Sequence, residues 1–279
     1  MFKKLLSIYG NRIIKPSNTL EPMRFYYFFN EDGELFGIDK TITKNEYHLI
    51  KSMYIEKTFH FNNALMQQIH EYLWEGKGYP FSLKRGKFFL YQGLEDFNID
   101  QFHSMLMDIF QEIYAISFLD YTLVFYFSRF DIELEPLFQT LSDDFGSKLL
   151  IHEGFFFTDQ LPGEHIRQYA KTVIDKGVMR KKDYTDLADF ILALSGSEES
   201  QMLRLIKNGL FASLKDKDES LEIIRVFFNN NLNVSATAKS LYMHRNTLLY
   251  KLDQLSKELG LKLDRFSHAC SINILLNIK

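Results

Sequence analysis

Between His244 and Gln254 the chain collects side chains that make directional polar contacts: His244, Arg245, Asn246, Thr247, Tyr250, Lys251 and Gln254. Amides and guanidinium groups pair with the edges of bases, and hydroxyls and ammonium groups hold phosphate oxygens. The chemistry on offer is therefore recognition of a polyanion rather than bond breaking. Ser235, a little upstream, adds a further hydroxyl.

Groups that would support catalysis are less well arranged. The eight histidines, His48, His60, His70, His103, His152, His165, His244 and His268, include no pair three or four residues apart that one helix could offer to a metal. Asp143–Asp144 and Glu198–Glu199 are adjacent pairs that read as solvated surface or helix caps. No GxSxG, phosphate-binding glycine loop or HExxH occurs. The single cysteine, Cys270, lies in an apolar run and reads as core, and alone it forms no intramolecular disulfide. No catalytic residue, metal ligand or cofactor is assigned, and the chain is expected not to be an enzyme.

The polar set needs helices to position it, and Ser220 to Gly260 supplies their pattern. Leu221, Ile224, Val226, Phe227 and Phe228 make a broad apolar stripe that ends at Asn229–Asn231. Asn233 is suited to cap a short second helix, Val234 to Leu241, in which Ala236 and Ala238 allow close crossing. Tyr242 and Met243 read as a turn, and His244 as the cap of a third helix. There Leu248, Leu252, Leu255 and Leu259 recur at spacings of four, three and four, which defines a core face. At about 100° per residue, Asn246, Thr247, Tyr250 and Gln254 lie opposite that face, with Lys251 and Lys257 beside them. Arg245 falls near the stripe's margin, so a structural salt bridge competes there with a ligand contact.

This stretch, NVSATAKSLYMHRNTLLYKL followed by LGLKLDRF, resembles the C-terminal helix-turn-helix domain of the PucR and CdaR (sugar-diacid regulator) family, and more distantly the Fis-type helix pair. The resemblance implies sequence-specific binding of double-stranded DNA by a bacterial-type transcriptional regulator, usually as a homodimer or higher homo-oligomer. Asn233, Ala238, Leu241, Leu248 and Leu252 would hold the motif together. The family pattern also implies an upstream domain that senses a signal, such as a small-molecule effector. The rival reading keeps the helices as packing, in a small-molecule or protein-binding oligomerisation module that does not touch DNA.

Upstream, Met23 to Ile38 reads as a hairpin around Asn30–Gly33, followed by helices over Lys44–Tyr54 and Asn62–Trp74. From Lys87 to Phe157 the order is strand (FFLYQG), helix (Asp100–Phe110), strand (IYAISF), strand (TLVFYF), helix (Leu134–Phe145) and strand (KLLIHEGFFF). This β-α-β-β-α-β order is that of a ferredoxin-like sheet with two helices on one face. In the resembled family such a unit is a degenerate GGDEF-like domain. Here its central hairpin, Phe118 to Thr122, has one aspartate and no glycine, so cyclase activity is not expected. After Pro162 only helices are expected, over Gly163–Lys176, Tyr184–Leu194 and Glu198–Leu214, with breaks at Gly177 and Ser195–Ser197.

The reading is α+β, in four parts: a hairpin and helices over 1–80 as possible sensor, a ferredoxin-like domain over 81–160, a helical linker or dimerisation region over 161–217, and the helix-turn-helix over 218–279. Apolar residues at 46% of the chain are ample for a buried core. A net charge of −3 gives no global pull toward nucleic acid, and Asp218 to Lys279 has only eight Lys and Arg against six Asp and Glu. DNA affinity would then lean on two copies binding together. No run is long and apolar enough to span a bilayer, and cysteine usage fits a reducing compartment, so a cytoplasmic protein without a membrane partner is expected.

Overall fold

The structure, a computed structural model, describes residues 2–15, 25–56, 64–93, 99–128, 132–145, 149–196, 200–212 and 214–278. The expectations that touch Met23, His60, Asn62, Lys148, Ser197, Glu198, Glu199 and Lys279 lie outside these residues, as do the side chains of Asp100 and Asp144.

The chain opens with α1 (Phe2–Tyr9) and β1 (Ile13–Ile14). The aromatic runs then form the expected hairpin, β2 (Phe25–Phe29) and β3 (Leu35–Asp39), paired antiparallel. Asn30 builds its turn: Oδ1 accepts from the N–H groups of Asp32 and Glu34 at 3.0 and 2.8 Å. Helix α2 (Lys44–Met53) starts at a capping box between Thr43 and Glu46, and β4 (Ile55–Glu56) follows it. The strands make a sheet in the order β1-β3-β2-β4, packed around Phe28, Phe36, Ile38 and Ile50.

After α3 (Ala64–Trp74) comes the second sheet, from β5 (Arg85–Gly93), α4 (Ile99–Ile109), β6 (Glu112–Phe118), β7 (Tyr121–Phe127), α5 (Leu134–Phe145) and β8 (Leu149–Glu153). These strands lie in the order β8-β5-β7-β6 with every neighbouring pair antiparallel, which is the ferredoxin-like arrangement. The fold is α+β, as expected. Strand alternation divides the side chains. Phe89, Tyr91, Val124 and Tyr126 meet Phe102 and Leu106 of α4 and Phe138 of α5. Phe88, Leu90, Leu123, Phe125 and Phe127 point to the other face, which the following helices cover together with α3.

Two expectations need correction. The run KLLIHEGFFF is not one strand: β8 ends at Glu153, and after Gly154–Phe156 a separate β9 (Phe157–Thr158) pairs with the start of β5. A Cβ on Gly154 would lie 2.3 Å from the Phe88 ring, so the ring fills the place where a strand residue would carry its side chain. After α6 (Gly163–Asp175), a strand does occur: β10 (Tyr184–Thr185) adds parallel to β8, where a helix was expected from Tyr184 onward. Helix α7 (Leu187–Leu194) begins only after Asp186, whose carboxylate accepts from the Asp189 N–H and caps it.

A buried polar chain fixes β10 in place. Thr185 Oγ1 donates to the Ile151 carbonyl at 3.1 Å, so it must accept from His152 Nδ1–H at 2.9 Å; His152 Nε2 then accepts from the Tyr169 hydroxyl at 2.7 Å. Burial pushes the His152 pKa down to about 3, which keeps this imidazole neutral and the chain of bonds complete.

Helix α8 (Ser200–Ala212) leads to the last four helices: α9 (Lys217–Asn229), α10 (Val234–Ser240), α11 (Arg245–Leu259) and α12 (Phe266–Asn277). One apolar cluster runs from Ile69 on α3, across the second face of the sheet and through α6, α7 and α8, to Leu248 on α11 and Leu275 on α12. Among the described residues no helix is long and apolar enough to cross a membrane.

Candidate nucleic-acid interface

Helices α9, α10 and α11 make a compact trihelical unit because each connection is fixed by local bonds. Ile223, Ile224 and Phe227 bury the inner face of α9. The chain leaves it through Asn231 and Leu232, both with left-handed backbone, and the Leu232 N–H returns to the Phe227 carbonyl at 3.0 Å. Asn233 Oδ1 accepts the Ala236 N–H at 3.0 Å and starts α10. On α10, Thr237 and Ala238 are buried, and Ala238 belongs to the apolar cluster that also holds the leucines of α11.

From α10 to α11 the turn is equally tight. The Leu241 N–H donates to the Thr237 carbonyl at 2.9 Å, and the Met243 N–H to that of Ala238 at 2.8 Å. Leu241 and Met243 pack against the core, while Tyr242 between them takes φ of 53°. His244 then caps α11, its Nδ1 accepting the Asn246 N–H at 3.3 Å.

The leucines of α11 take the inner face as a set: Leu248, Leu252, Leu255 and Leu259 are buried. His244, Arg245, Asn246, Thr247, Tyr250 and Gln254 are exposed on its outside, and Ser235 is exposed on α10. Among the described residues Arg245 has no salt-bridge partner, so its guanidinium stands open to a ligand. Three members of the polar set are engaged within the chain. Lys251 pairs with Glu219 of α9 at 2.8 Å and is half-buried, and Gln254 donates to the Tyr250 hydroxyl at 2.6 Å. Lys257 pairs with Asp253 at 2.9 Å one turn away. Sequence reasoning missed the Glu219 pairing, which joins residues far apart in the chain. It also passed over the full exposure of Tyr242, although the position in the turn was visible.

The far end of α11 is fastened to the ferredoxin-like unit. Arg85 donates to the Glu258 carbonyl at 3.0 Å and lies over the Phe156 ring, 3.9 Å from its centre. Gly260 ends the helix at φ of 68°, and its missing side chain lets the Phe156 ring approach. Beyond it, Lys262 pairs with Glu133 at 2.8 Å and Arg265 with Glu135 at 3.2 Å. His268 of α12 donates to Asp186 at 2.8 Å. Burial would push the Asp186 carboxyl up. The hydrogen bond from His268, the Asp189 N–H and the Lys182 ammonium outweigh it and hold Asp186 well below the usual carboxylate range. These contacts border a cleft lined by Glu133, Glu153, Tyr184, Asp186, Lys262 and Arg265.

Compared with known proteins, residues 220–278 match the PucR C-terminal helix-turn-helix domain, and this part of the chain is such a domain. The chain is 29% identical over 167 residues to the carbohydrate diacid regulator of Escherichia coli (strain K12), covering 54% of this chain and 42% of that protein. It is 27% identical over 143 residues to the uncharacterized protein YxkF of Bacillus subtilis (strain 168), covering 49% of this chain and 47% of that one. The matched region thus spans less than half the length of either relative. A crystal structure of a regulator of polyketide synthase expression from Bifidobacterium adolescentis aligns over 79% of this chain and 94% of that one. At a TM-score of 0.40 and 11% identity, that likeness carries no functional argument.

Proposed function

We propose that this chain is a DNA-binding transcriptional regulator, with α11 entering the major groove under the control of the units that precede it. The observation that carries the reading is the division of α11: four leucines buried inside, and His244, Arg245, Asn246 and Thr247 exposed together at its first turn. In a helix-turn-helix that first turn reaches base edges, and nearby hydroxyls and cations hold phosphates. A helix that served only packing would have no need of an open first turn carrying an imidazole, a guanidinium, an amide and a hydroxyl. The match of residues 220–278 to a helix-turn-helix domain and the name of the Escherichia coli relative support the same role.

Asn246 is assigned to base edges, Arg245 to a base edge and the phosphate beside it, Thr247, Tyr250 and Ser235 to phosphates, and His244 to either. Lys251 and Gln254 play a lesser part, because the Lys251 ammonium is paired with Glu219 and the Gln254 amide donates to Tyr250, whose hydroxyl accepts that bond and keeps its own O–H to donate. The modest cationic surplus of the C-terminal segment supports binding as a homodimer, in which two weak half-sites act together. The contacts at the far end of α11 support a controlling role for the earlier units, since any shift of α5 or α7 acts on the loop that leaves this helix. No catalytic role is part of the proposal.

Fluorescence anisotropy with promoter DNA tests the reading. The wild-type chain is expected to bind with a steep salt dependence. Arg245→Ala and Thr247→Ala each weaken binding, and Arg245→Ala also makes the salt dependence shallower. Binding that neither substitution weakens and that ignores salt contradicts the proposal.

A further inference from the structure

Among the described residues, four other than glycine have a left-handed backbone: Leu119, Asn231, Leu232 and Tyr242. Bulky side chains seldom adopt it, because Cβ then crowds the following carbonyl. Three of the four have a reason inside the molecule. Leu119 and Leu232 pack their side chains against the core, and asparagine tolerates this conformation through its short polar side chain. Tyr242 has neither reason, since its side chain is 99% exposed.

The backbone at this position is set from both sides. Leu241 and Met243 are half-buried and pack against the core, and the Met243 N–H is bound to the Ala238 carbonyl at 2.8 Å. With its neighbours anchored inward, Tyr242 is held pointing out. Glycine would fill the turn without strain. A tyrosine there stands at a cost that no contact among the described residues offsets, so the return on that cost lies outside the chain. Tyr242 stands two residues before His244 and three before Arg245, beside the exposed Lys239 and Ser240, at the end of α11 assigned to the groove.

We propose that Tyr242 is a positioning residue that seats the helix-turn-helix on one sugar–phosphate strand at the edge of the groove. The ring lies against deoxyribose, and the phenol O–H donates to a phosphate oxygen. The inference rests on the DNA-binding reading and adds a contact from the turn, outside the face of α11. A neutral phenol displaces no counterion, so its contribution differs from that of Arg245 in a measurable way.

The test compares the full-length wild type with Tyr242→Gly and Tyr242→Phe, using a fluorescein-labelled duplex selected by the wild type from a randomised library. Anisotropy is read across a salt series, and melting temperature is measured alongside. Tyr242→Gly is expected to bind about tenfold more weakly with an unchanged slope of log affinity against log salt, and to melt no lower than wild type. Tyr242→Phe, which keeps the ring, is expected to fall between the two, and it decides the matter alone if the glycine variant melts lower. Binding by both variants within about twofold of wild type overturns the proposal. So does a loss of affinity accompanied by a shallower salt slope, because the ring would then act through the cations. If the library yields no duplex for the wild type, the DNA-binding reading itself fails, which is a different result from either of these.

Discussion

His268 donates from Nε2 to the Asp186 carboxylate at 2.8 Å, while its Nδ1 accepts the Lys262 N–H, also at 2.8 Å. One imidazole thus joins the cap of α7 to the loop that leads out of α11. The acceptor role of Nδ1 leaves the ring's proton on Nε2, facing the carboxylate. The C-terminal helices are held to the rest of the chain by this bond and by the apolar contact of α12 with α7 and α8.

The low pKa of Asp186 gives the pair a pH signature. A carboxylate whose folded pKa lies below its unfolded value of about 3.9 stabilises the fold above that pH, and the contribution fades as the pH falls toward the folded value. Asp186→Asn keeps a capping oxygen but loses the charge. It is expected to melt below wild type at neutral pH, with the gap closing as the pH drops below about 4. A gap that is the same at every pH would show that the charge of Asp186 contributes nothing.

Asn233 supplies the side-chain bond that starts α10. Asn233→Ala is expected to lower stability by about 1 kcal/mol, read by denaturant unfolding. Leu248→Ala, in the buried stripe of α11, should cost more, about 2–5 kcal/mol, because it opens a cavity where the trihelical unit meets the core. Equal effects would mean that α11 is less tightly packed than its burial indicates.

The ion pair between Lys251 and Glu219 separates two kinds of cation on the proposed interface. Glu219→Gln removes a negative charge and releases Lys251, so DNA affinity at low salt is expected to rise about threefold. Lys251→Ala should cost less affinity than Arg245→Ala. The opposite ranking would move the main phosphate contact from the first turn of α11 to its middle.

Where the sequence could be read, the reason was local. The strands of the second sheet are short, nearly continuous apolar runs bounded by turn residues, because both faces are covered, and the hairpin β6–β7 has a two-residue turn, so order and type followed from run length and punctuation. The caps at Asn233 and His244 act within three residues of themselves, and the leucine stripe of α11 needs only its own spacing. What escaped reading depends on distant partners. Strands β1, β4, β9 and β10 are two residues each, too short to show a period, and exist because a longer strand pairs with them. Burial of the second face of the ferredoxin-like sheet is written partly on α6 and α7, whose own pattern names no partner. Lys251 looked like an open cation because Glu219 lies on another helix, and Tyr242 looked like an ordinary turn residue because φ leaves no mark in the sequence.

Gly260 gives a prediction about the seam between α11 and the sheet. Its φ of 68° disfavours a side chain, and a Cβ there would lie 3.0 Å from the Phe156 ring. Gly260→Ala is expected to destabilise the chain by about 1–2 kcal/mol and to raise proteolytic nicking between α11 and α12. Unchanged stability and nicking would mean that the ring and the helix end are free to part.

The central claim is that the outer side of α11 lies in the major groove, and dimethyl sulfate protection reads that groove directly, because the reagent methylates guanine N7 there. On a duplex selected by the wild-type chain, guanines are expected to be protected by the wild type and re-exposed when Arg245→Ala and Asn246→Ala are combined. Stable binding that leaves every guanine N7 as reactive as in free DNA would contradict the claim.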